Sequence, residues 1–222
     1  MTSRKKTPFT VAMFVFSLAA GCSTTSPPKD YTKFRELDPK AILVVPVVNR
    51  SVDVNVPDYF LTTISRPVAE RGYYVFPVNL VKQILQDDGL ADADMVHASN
   101  PIRLAELFGA DAVLYISIER WDAQYLVLST QITVKFKYIL KCGKTGETIW
   151  ESSETMIYSP QQSGGGGLGG LVAMAITAAV AKAVPNYIPL SQQANKNGVT
   201  KPHSGLPAGP YLDTYGKDKD MF

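Results

Sequence analysis

Two hydrophobic rhythms divide this chain, and together they leave few architectures open. Ala41-Ile42-Leu43-Val44-Val45-Pro46-Val47-Val48 is a nearly unbroken apolar run, and Ala112 to Ile118 is a second. Such runs, rich in β-branched residues, suit strands covered on both faces, as in a parallel arrangement. Further on the pattern changes. Ile132, Val134, Phe136, Tyr138 and Leu140 alternate with Thr133, Lys135, Lys137 and Ile139. A period of two with one largely polar side belongs to an antiparallel strand covered on one face. Gly143-Lys144-Thr145-Gly146 reads as a turn, and Glu147 to Tyr158 as the returning partner. The expected fold is therefore α/β, with a mixed sheet packed with helices. Its N-terminal half is parallel and its second half is an antiparallel meander.

Helices are expected between these strands. Pro57 and Asp58 suit a helix start, Phe60, Ile64 and Val68 form one apolar face, Pro67 introduces a kink, and Gly72 marks the stop. Tyr73 to Phe76 reads as a short strand. Asn79 is expected to cap a second helix carrying Leu80, Val81, Ile84 and Leu85, ended by Gly89. Asn100-Pro101 opens a third, with Leu104, Leu107 and Phe108 inward and Gly109 at its end. Asp87 to Ala98 is polar and receives no element. Pro46 cannot donate to a ladder, so the first strand ends or bulges there.

The first 25 residues fix location. Arg4, Lys5 and Lys6 precede an apolar run from Phe9 to Ala20, and Leu18-Ala19-Ala20-Gly21-Cys22-Ser23 follows. A positive start, a short apolar stretch and small residues before a cut site form a secretory signal. The run is too short to span a hydrocarbon core, which needs about 20 residues. With Cys22 directly after Gly21, the segment resembles a bacterial lipobox. That resemblance implies cleavage between Gly21 and Cys22 and acylation of Cys22. Serine at position 23, rather than aspartate, favours the outer membrane. Residues 1–21 are then signal peptide, and 22–40 the lipidated cysteine and a polar linker, solvated over 23–38. Residues 41–159 form the α/β domain. Residues 160–222 hold a glycine-rich hinge, an apolar helix over 168–184 and an irregular tail, in which Lys217-Asp218-Lys219-Asp220 is solvated.

Three of the 22 basic residues and none of the 20 acidic ones lie in residues 1–21, so cleavage moves the net charge from +2 to −1. A near-neutral chain offers no electrostatic case for nucleic acid. If Cys22 is acylated, Cys142 has no partner in its own chain and reads as a buried inert thiol. His97 and His203 are the two histidines, and neither has the spacing of a zinc ligand set or supports a Cys–His nucleophile. Asp87, Asp88, Asp92 and Asp94 miss the spacing of a calcium loop and read as a solvated patch. Gly165, Gly167 and Gly170 mimic a dinucleotide fingerprint but lack its strand–helix context. Gly143-Lys144-Thr145 lacks the earlier glycine of a phosphate loop, since Tyr138 stands in its place. No catalytic, cofactor-binding or metal-ligating set is assigned. The segment 168–184 reads as a helix packed on the core, with self-association or membrane contact as the other possibilities.

Three stretches carry a family resemblance. Ile42 to Ser51 resembles the opening strand and loop of TolB N-terminal and CsgG-type domains. Gly109-Ala110-Asp111-Ala112-Val113-Leu114-Tyr115 is similar to their helix-to-strand joint. Lys144-Thr145-Gly146-Glu147-Thr148-Ile149-Trp150 is similar to their hairpin. With the lipobox and glycine tract, the chain resembles a family of outer-membrane lipoproteins of unassigned function, which implies an α/β domain in the periplasm or at the cell surface. It also implies other envelope lipoproteins or CsgG-like transport components as partners. The expected role is a lipid-anchored, non-enzymatic accessory or scaffold for envelope assembly, secretion or transport, acting through protein contacts and possible homo-oligomers. An alternative is activation of a peptidoglycan synthase from the outer membrane, against which the short linker counts. Another is a periplasmic module for a small ligand, for which the sequence supplies no convergent polar set.

Cys22→Ser is expected to abolish incorporation of radiolabelled palmitate and release the chain from the membrane fraction; retention of label or of membrane partition would exclude the assignment.

Overall fold

The first apolar run becomes the centre of the sheet. In the computed structural model, which describes residues 29–126, 129–158 and 187–222, it splits into β1 (Ala41–Val44) and β2 (Val48–Asn49). Pro46, without an N–H, stands in the break. The remaining strands are β3 (Tyr74–Val75), β4 (Ala112–Leu126), β5 (Ser129–Cys142) and β6 (Thr148–Tyr158). Their order is β3-β1-β4-β5-β6, with β2 also on β4. β1 runs parallel to β3 and β4, β2 runs parallel to β4, and β4–β5–β6 is antiparallel. The two rhythms thus map onto the two halves of one mixed sheet.

Five of the helices are α1 (Thr32–Leu37), α2 (Val56–Glu70), α3 (Val78–Asp87), α4 (Ala93–Ala98) and α5 (Pro101–Phe108). A sixth, α6 (Ile188–Thr200), follows. They cover both faces of the parallel half. Ile42, Val44, Leu114, Ile116 and Ile118 point to the layer of α1, α2 and α6. Leu43, Val45, Val113 and Tyr115 point the other way, to Val81, Leu85, Val96 and Leu104 of α3, α4 and α5. Successive residues of one strand serve opposite cores, which is why the sequence there shows no alternation. On β5 the covered side is Ile132, Val134, Phe136, Tyr138 and Leu140, all buried, while Lys135 is exposed.

Local signals placed several boundaries. The Asn100 side chain accepts from the Ile102 N–H at 2.9 Å, and Gly109 closes α5 with φ +71°. α2 begins beside Pro57 and continues through Pro67 to Glu70. Other expectations are corrected. Asn79 does not cap α3, which begins at Val78 with Pro77 at its N-cap. Leu107 is 52% exposed and Leu80 is also exposed, because the apolar faces of these helices are narrower than the sequence runs suggest. Within the polar stretch 87–98, α4 forms because the Asp92 carboxylate accepts from the N–H groups of Asp94 and Met95 at 2.8 and 3.3 Å.

The largest corrections lie at the two ends. Residues 23–38 do not all form a solvated linker: α1 occupies Thr32–Leu37, and Tyr31 and Phe34 are buried in the core. Burying one Phe side chain contributes about 1.5–3 kcal/mol, enough to outweigh polar neighbours. Residues 187–222 do not stand apart from the sheet either. Leu190, Ala194, Val199, Leu206 and Phe222 join the same core, and Asp218, expected in solvent, is only 6% exposed.

α6 is seated by a polar bridge. The Tyr138 hydroxyl on β5 donates to Asn195 Oδ1 at 2.7 Å. Asn195 Nδ2 donates to Phe60 O at 3.0 Å and to Thr63 Oγ1 at 2.8 Å on α2. One buried amide thus joins β5, α2 and α6. Gly198, one turn on, lies against the Tyr138 ring so closely that a Cβ would overlap its edge.

Asn195→Ala is expected to lower the folding free energy by about 1–3 kcal/mol, because it leaves the Tyr138 hydroxyl buried without an acceptor. Urea unfolding midpoints check this, and a change no larger than that of an exposed control such as Gln192→Ala would contradict it.

Candidate functional site

In a doubly wound arrangement the binding crevice lies outside the carboxyl ends of the parallel strands, where the strand order reverses. Here the reversal falls at β1, flanked by β3 on one side and β4 on the other. Beyond β1 the chain stays in the sheet, where β2 continues along β4 and pairs Val48 with Ser117. Val45, Val47 and Val48 are buried, and the Val45 N–H donates to Leu114 O at 3.2 Å. His97, at the end of α4, reaches Pro46 O through Nε2 at 3.0 Å. Its ring meets Tyr115 edge-on with centroids 5.0 Å apart, and Lys141 Nζ lies 5.3 Å over the other ring. The Tyr115 hydroxyl is buried with no hydrogen-bond partner among the described residues. Burial pushes it up to about 12. Burial also holds the His97 imidazole below its ordinary value, against the bond to Pro46 and the nearby Asp94 carboxylate.

Past β2 the chain turns outward. Asn49 organises the loop: its Oδ1 accepts from the Ser51 N–H at 2.9 Å, and its Nδ2 donates to Asp53 O at 2.8 Å. Arg50 pairs with Asp94 on α4, its Nη1 donating to Asp94 Oδ2 at 3.0 Å. Between these fixed points Val52 is 94% exposed and Val54 is 81% exposed. A loop tied by Asx bonds and an exposed ion pair thus presents two branched apolar side chains to solvent.

A second constellation joins residues from both ends of the described chain. The Asp218 carboxylate accepts from the Ala208 N–H at 2.6 Å and from Arg71 Nη2 at 3.2 Å. Arg35 Nη2 donates to Phe222 O at 2.6 Å and lies 3.5 Å from Asp218 Oδ1. The Arg71 guanidinium sits 4.5 Å over the Phe222 ring, and Tyr31 meets that ring at 6.0 Å. A hollow beside it is lined by Lys29, Arg35, His203, Lys219 and Phe222.

The residues singled out by sequence separate in space. Gly21, Cys22, the glycine tract and the segment 168–184 lie outside the described residues. Cys142 is buried with the α2 and α6 layer, whereas His97 packs on Tyr115 across the sheet. Burial pushes the Cys142 thiol up, but hydrogen bonds from Thr145 and the Lys144 backbone outweigh this and leave it below its usual value. His203 sits in the hollow near Phe222, its N–H donating to Met221 O at 2.7 Å. The acidic patch is exposed as expected but is not one loop: Asp87 ends α3, Asp92 caps α4 and Asp94 within α4 pairs with Arg50. Gly143 lets the β5–β6 turn press onto the Ala110 and Asp111 carbonyls, which a Cβ would meet at 2.8 and 2.9 Å. Among the described residues no group of three His, Cys, Asp or Glu is placed to hold a metal ion, and no helix is long and apolar enough to cross a membrane. Sequence reasoning missed Val52, Val54, Arg35, Arg71 and Asp218. The Val52-Asp53-Val54-Asn55-Val56 alternation was the only available signal, since nothing in Lys217–Asp220 sets Asp218 apart.

Comparison with known proteins agrees with the fold. The profile of the GNA1162-like family, described as candidate lipoproteins, matches residues 29–211. The candidate lipoprotein NMB1124/NMB1162 of Neisseria meningitidis serogroup B is 34% identical over 197 residues, covering 88% of this chain and 92% of that protein. The crystal structure of lipoprotein GNA1162 from Neisseria meningitidis superposes with a TM-score of 0.55 at 34% identity, covering 64% of this chain and 99% of that one. A PelC dodecamer from Paraburkholderia phytofirmans is more distant, with a TM-score of 0.42 at 16% identity over 68% of this chain and 88% of that one. That likeness is too remote to bear on assembly.

His97 is neutral in the folded protein, with its affinity for protons reduced below that of the unfolded chain. Its contribution to stability is therefore present above the ordinary imidazole value of 6.5 and lost as pH falls below it. Unfolding free energies are expected to fall as pH drops from about 7 to about 5, with a shallower fall in His97→Gln. Parallel profiles for the two proteins would rule out this role.

Proposed function

Since this chain belongs to the GNA1162-like family of candidate lipoproteins, we propose that it is a lipid-anchored accessory protein of the outer membrane. It is held by an acylated Cys22 and acts through protein contacts rather than catalysis. Two or more acyl chains make such an anchor effectively permanent, whereas one chain of myristoyl length binds only marginally. Confinement near the membrane raises the effective concentration of the domain for partners held there, without any new contact.

The exposure of Val52 and Val54 carries this reading. Two apolar side chains held out side by side on one loop favour a protein contact site. The loop follows β2 on one side of β4, while Lys29, the first described residue after the tether, lies over Trp150 on β6, the edge strand beyond β5. Anchoring through residues 22–28 thus engages one side of the sheet and leaves the apolar loop on the other. The partners proposed are other envelope lipoproteins or CsgG-like transport components. A second copy of this chain is the other candidate, with the apolar segment 168–184 as the sequence feature behind it.

Photo-crosslinkers placed at position 52 or 54 in intact cells are expected to yield a discrete adduct, identified by mass spectrometry. The double variant Val52→Asp/Val54→Asp is expected to lose the partner at least tenfold (about 1.4 kcal/mol) while keeping its unfolding midpoint. Absence of any adduct, or undiminished copurification by the double variant, would refute the contact reading. An adduct with twice the chain mass would identify self-association.

A further inference from the structure

The segment next to the tether draws most of its side-chain hydrogen bonds from residues 204–222, while Tyr31 and Phe34 sit in the shared core. We propose that this contact is a latch that sets the free length of the tether, and that it opens without unfolding the sheet. The consequence for reach rests on the lipid-anchor reading above; the latch itself does not.

The bonds divide cleanly. Tyr31 OH donates to Gly205 O at 2.7 Å. Arg35 donates to Phe222 O and faces Asp218. Lys29 Nζ reaches Ser204 O at 3.4 Å, and the Tyr215 hydroxyl donates to Asp38 Oδ1. Every one of these partners belongs to the strap 204–222. Toward the rest of the fold, the same segment buries Tyr31 and Phe34 in the core, with Phe34 meeting the Tyr73 ring at 6.3 Å, and makes the Lys29–Trp150 contact at 5.3 Å and an exposed Lys33–Glu147 pair at 3.5 Å. An exposed pair of that kind holds weakly.

The movable piece has a hinge and a stop. Asp38, directly after α1, has φ +40°, and His203, entering the strap, has φ +61°. They are the non-glycine residues with positive φ among the described residues. Asp38 is the left-handed C-cap of α1, its N–H donating to Phe34 O at 3.0 Å, so the helix ends there and the chain direction changes before β1. Beyond the hinge the chain is pinned: the Asp111 carboxylate accepts from the N–H groups of Lys40 and Ala41 at 3.0 and 2.9 Å. Opening therefore stops at Lys40 and leaves β1 in place. From Cys22 to Lys29 the tether spans at most about 25 Å; from Cys22 to Lys40 it spans at most about 60 Å. The latch more than doubles the distance at which the domain can work from its lipid.

Hydrogen exchange read by mass spectrometry on the full lipidated chain in detergent micelles tests the latch. In Arg35→Ala, the amides of residues 31–37 are expected to exchange about tenfold faster or more than in the wild type, with β5 amides unchanged. Arg35→Lys, which keeps the charge but loses the fork, is expected to fall between the two, and it serves if the alanine variant does not fold. Exchange of 31–37 only together with β5, or unchanged by either substitution, would overturn the proposal. In a second arm, a dye on Val52→Cys in the Cys142→Ala background is followed by energy transfer to headgroup acceptors in vesicles. Arg35→Ala is expected to lower the transfer, and equal transfer in both proteins would overturn the change in reach. A chain that does not partition to vesicles would sink the anchor reading while leaving the exchange result intact.

Discussion

A single buried carboxamide organises this molecule. Asn195 takes a hydrogen bond from the central tyrosine of β5 and gives two to α2, so helix, sheet and helix share one polar node with every partner satisfied. Buried polar groups are costly when any member lacks a partner, and a satisfied network therefore admits only one seating of its elements. α6 has a weak apolar face of its own, with Ser191, Asn195 and Gly198 among its buried residues. What fixes it is the fit of Gly198 against the Tyr138 ring and the amide beside it. Once α6 is placed, the chain after it is committed to cross beneath α2, where Gly209 donates to Arg71 O at 2.7 Å and Tyr73 OH donates to Pro207 O at 2.8 Å.

The sheet and the α2–α5 crossover were legible because their signals are local or periodic. The continuous runs at 41–48 and 112–118, the alternation at 132–140, and the Asn100 and Gly109 boundaries all reflect burial of consecutive neighbours. What escaped depends on contacts far apart in sequence. Residues 30–37 read as linker because their anchors, Gly205 and Phe222, stand more than 170 positions away. α6 was invisible for the same reason: its buried asparagine and glycine make sense only against Tyr138. Asp218 sits in an alternating run of lysines and aspartates that any solvated tail could show, and only Arg35, Arg71 and the Ala208 N–H set it apart.

The candidate contact site shows a different failure. The sequence marked Asn49-Arg50-Ser51 as a loop and went no further, although the valines at 52, 54 and 56 alternate. In a strand, alternation means burial on one face. Here Val56 enters the core at the start of α2, while Val52 and Val54 do not. The Asx bonds of Asn49 and the Arg50–Asp94 pair hold the loop away from the sheet, and these depend on α4, for which the sequence reading had assigned no element.

The strap that closes over α1 also shapes the order in which the chain can assemble. Tyr31 and Gly205 are 174 positions apart, and Arg35 and Phe222 are 187 apart. Closing loops of that size is entropically slow, and native pairings so remote form after local ones. A polypeptide emerging amino end first can zip β1 to α5 early, yet Tyr31 and Phe34 must wait, greasy and unshielded, until residues 187–222 arrive. For that interval the nascent domain carries a sticky front end, open to chance contacts that the finished fold no longer permits.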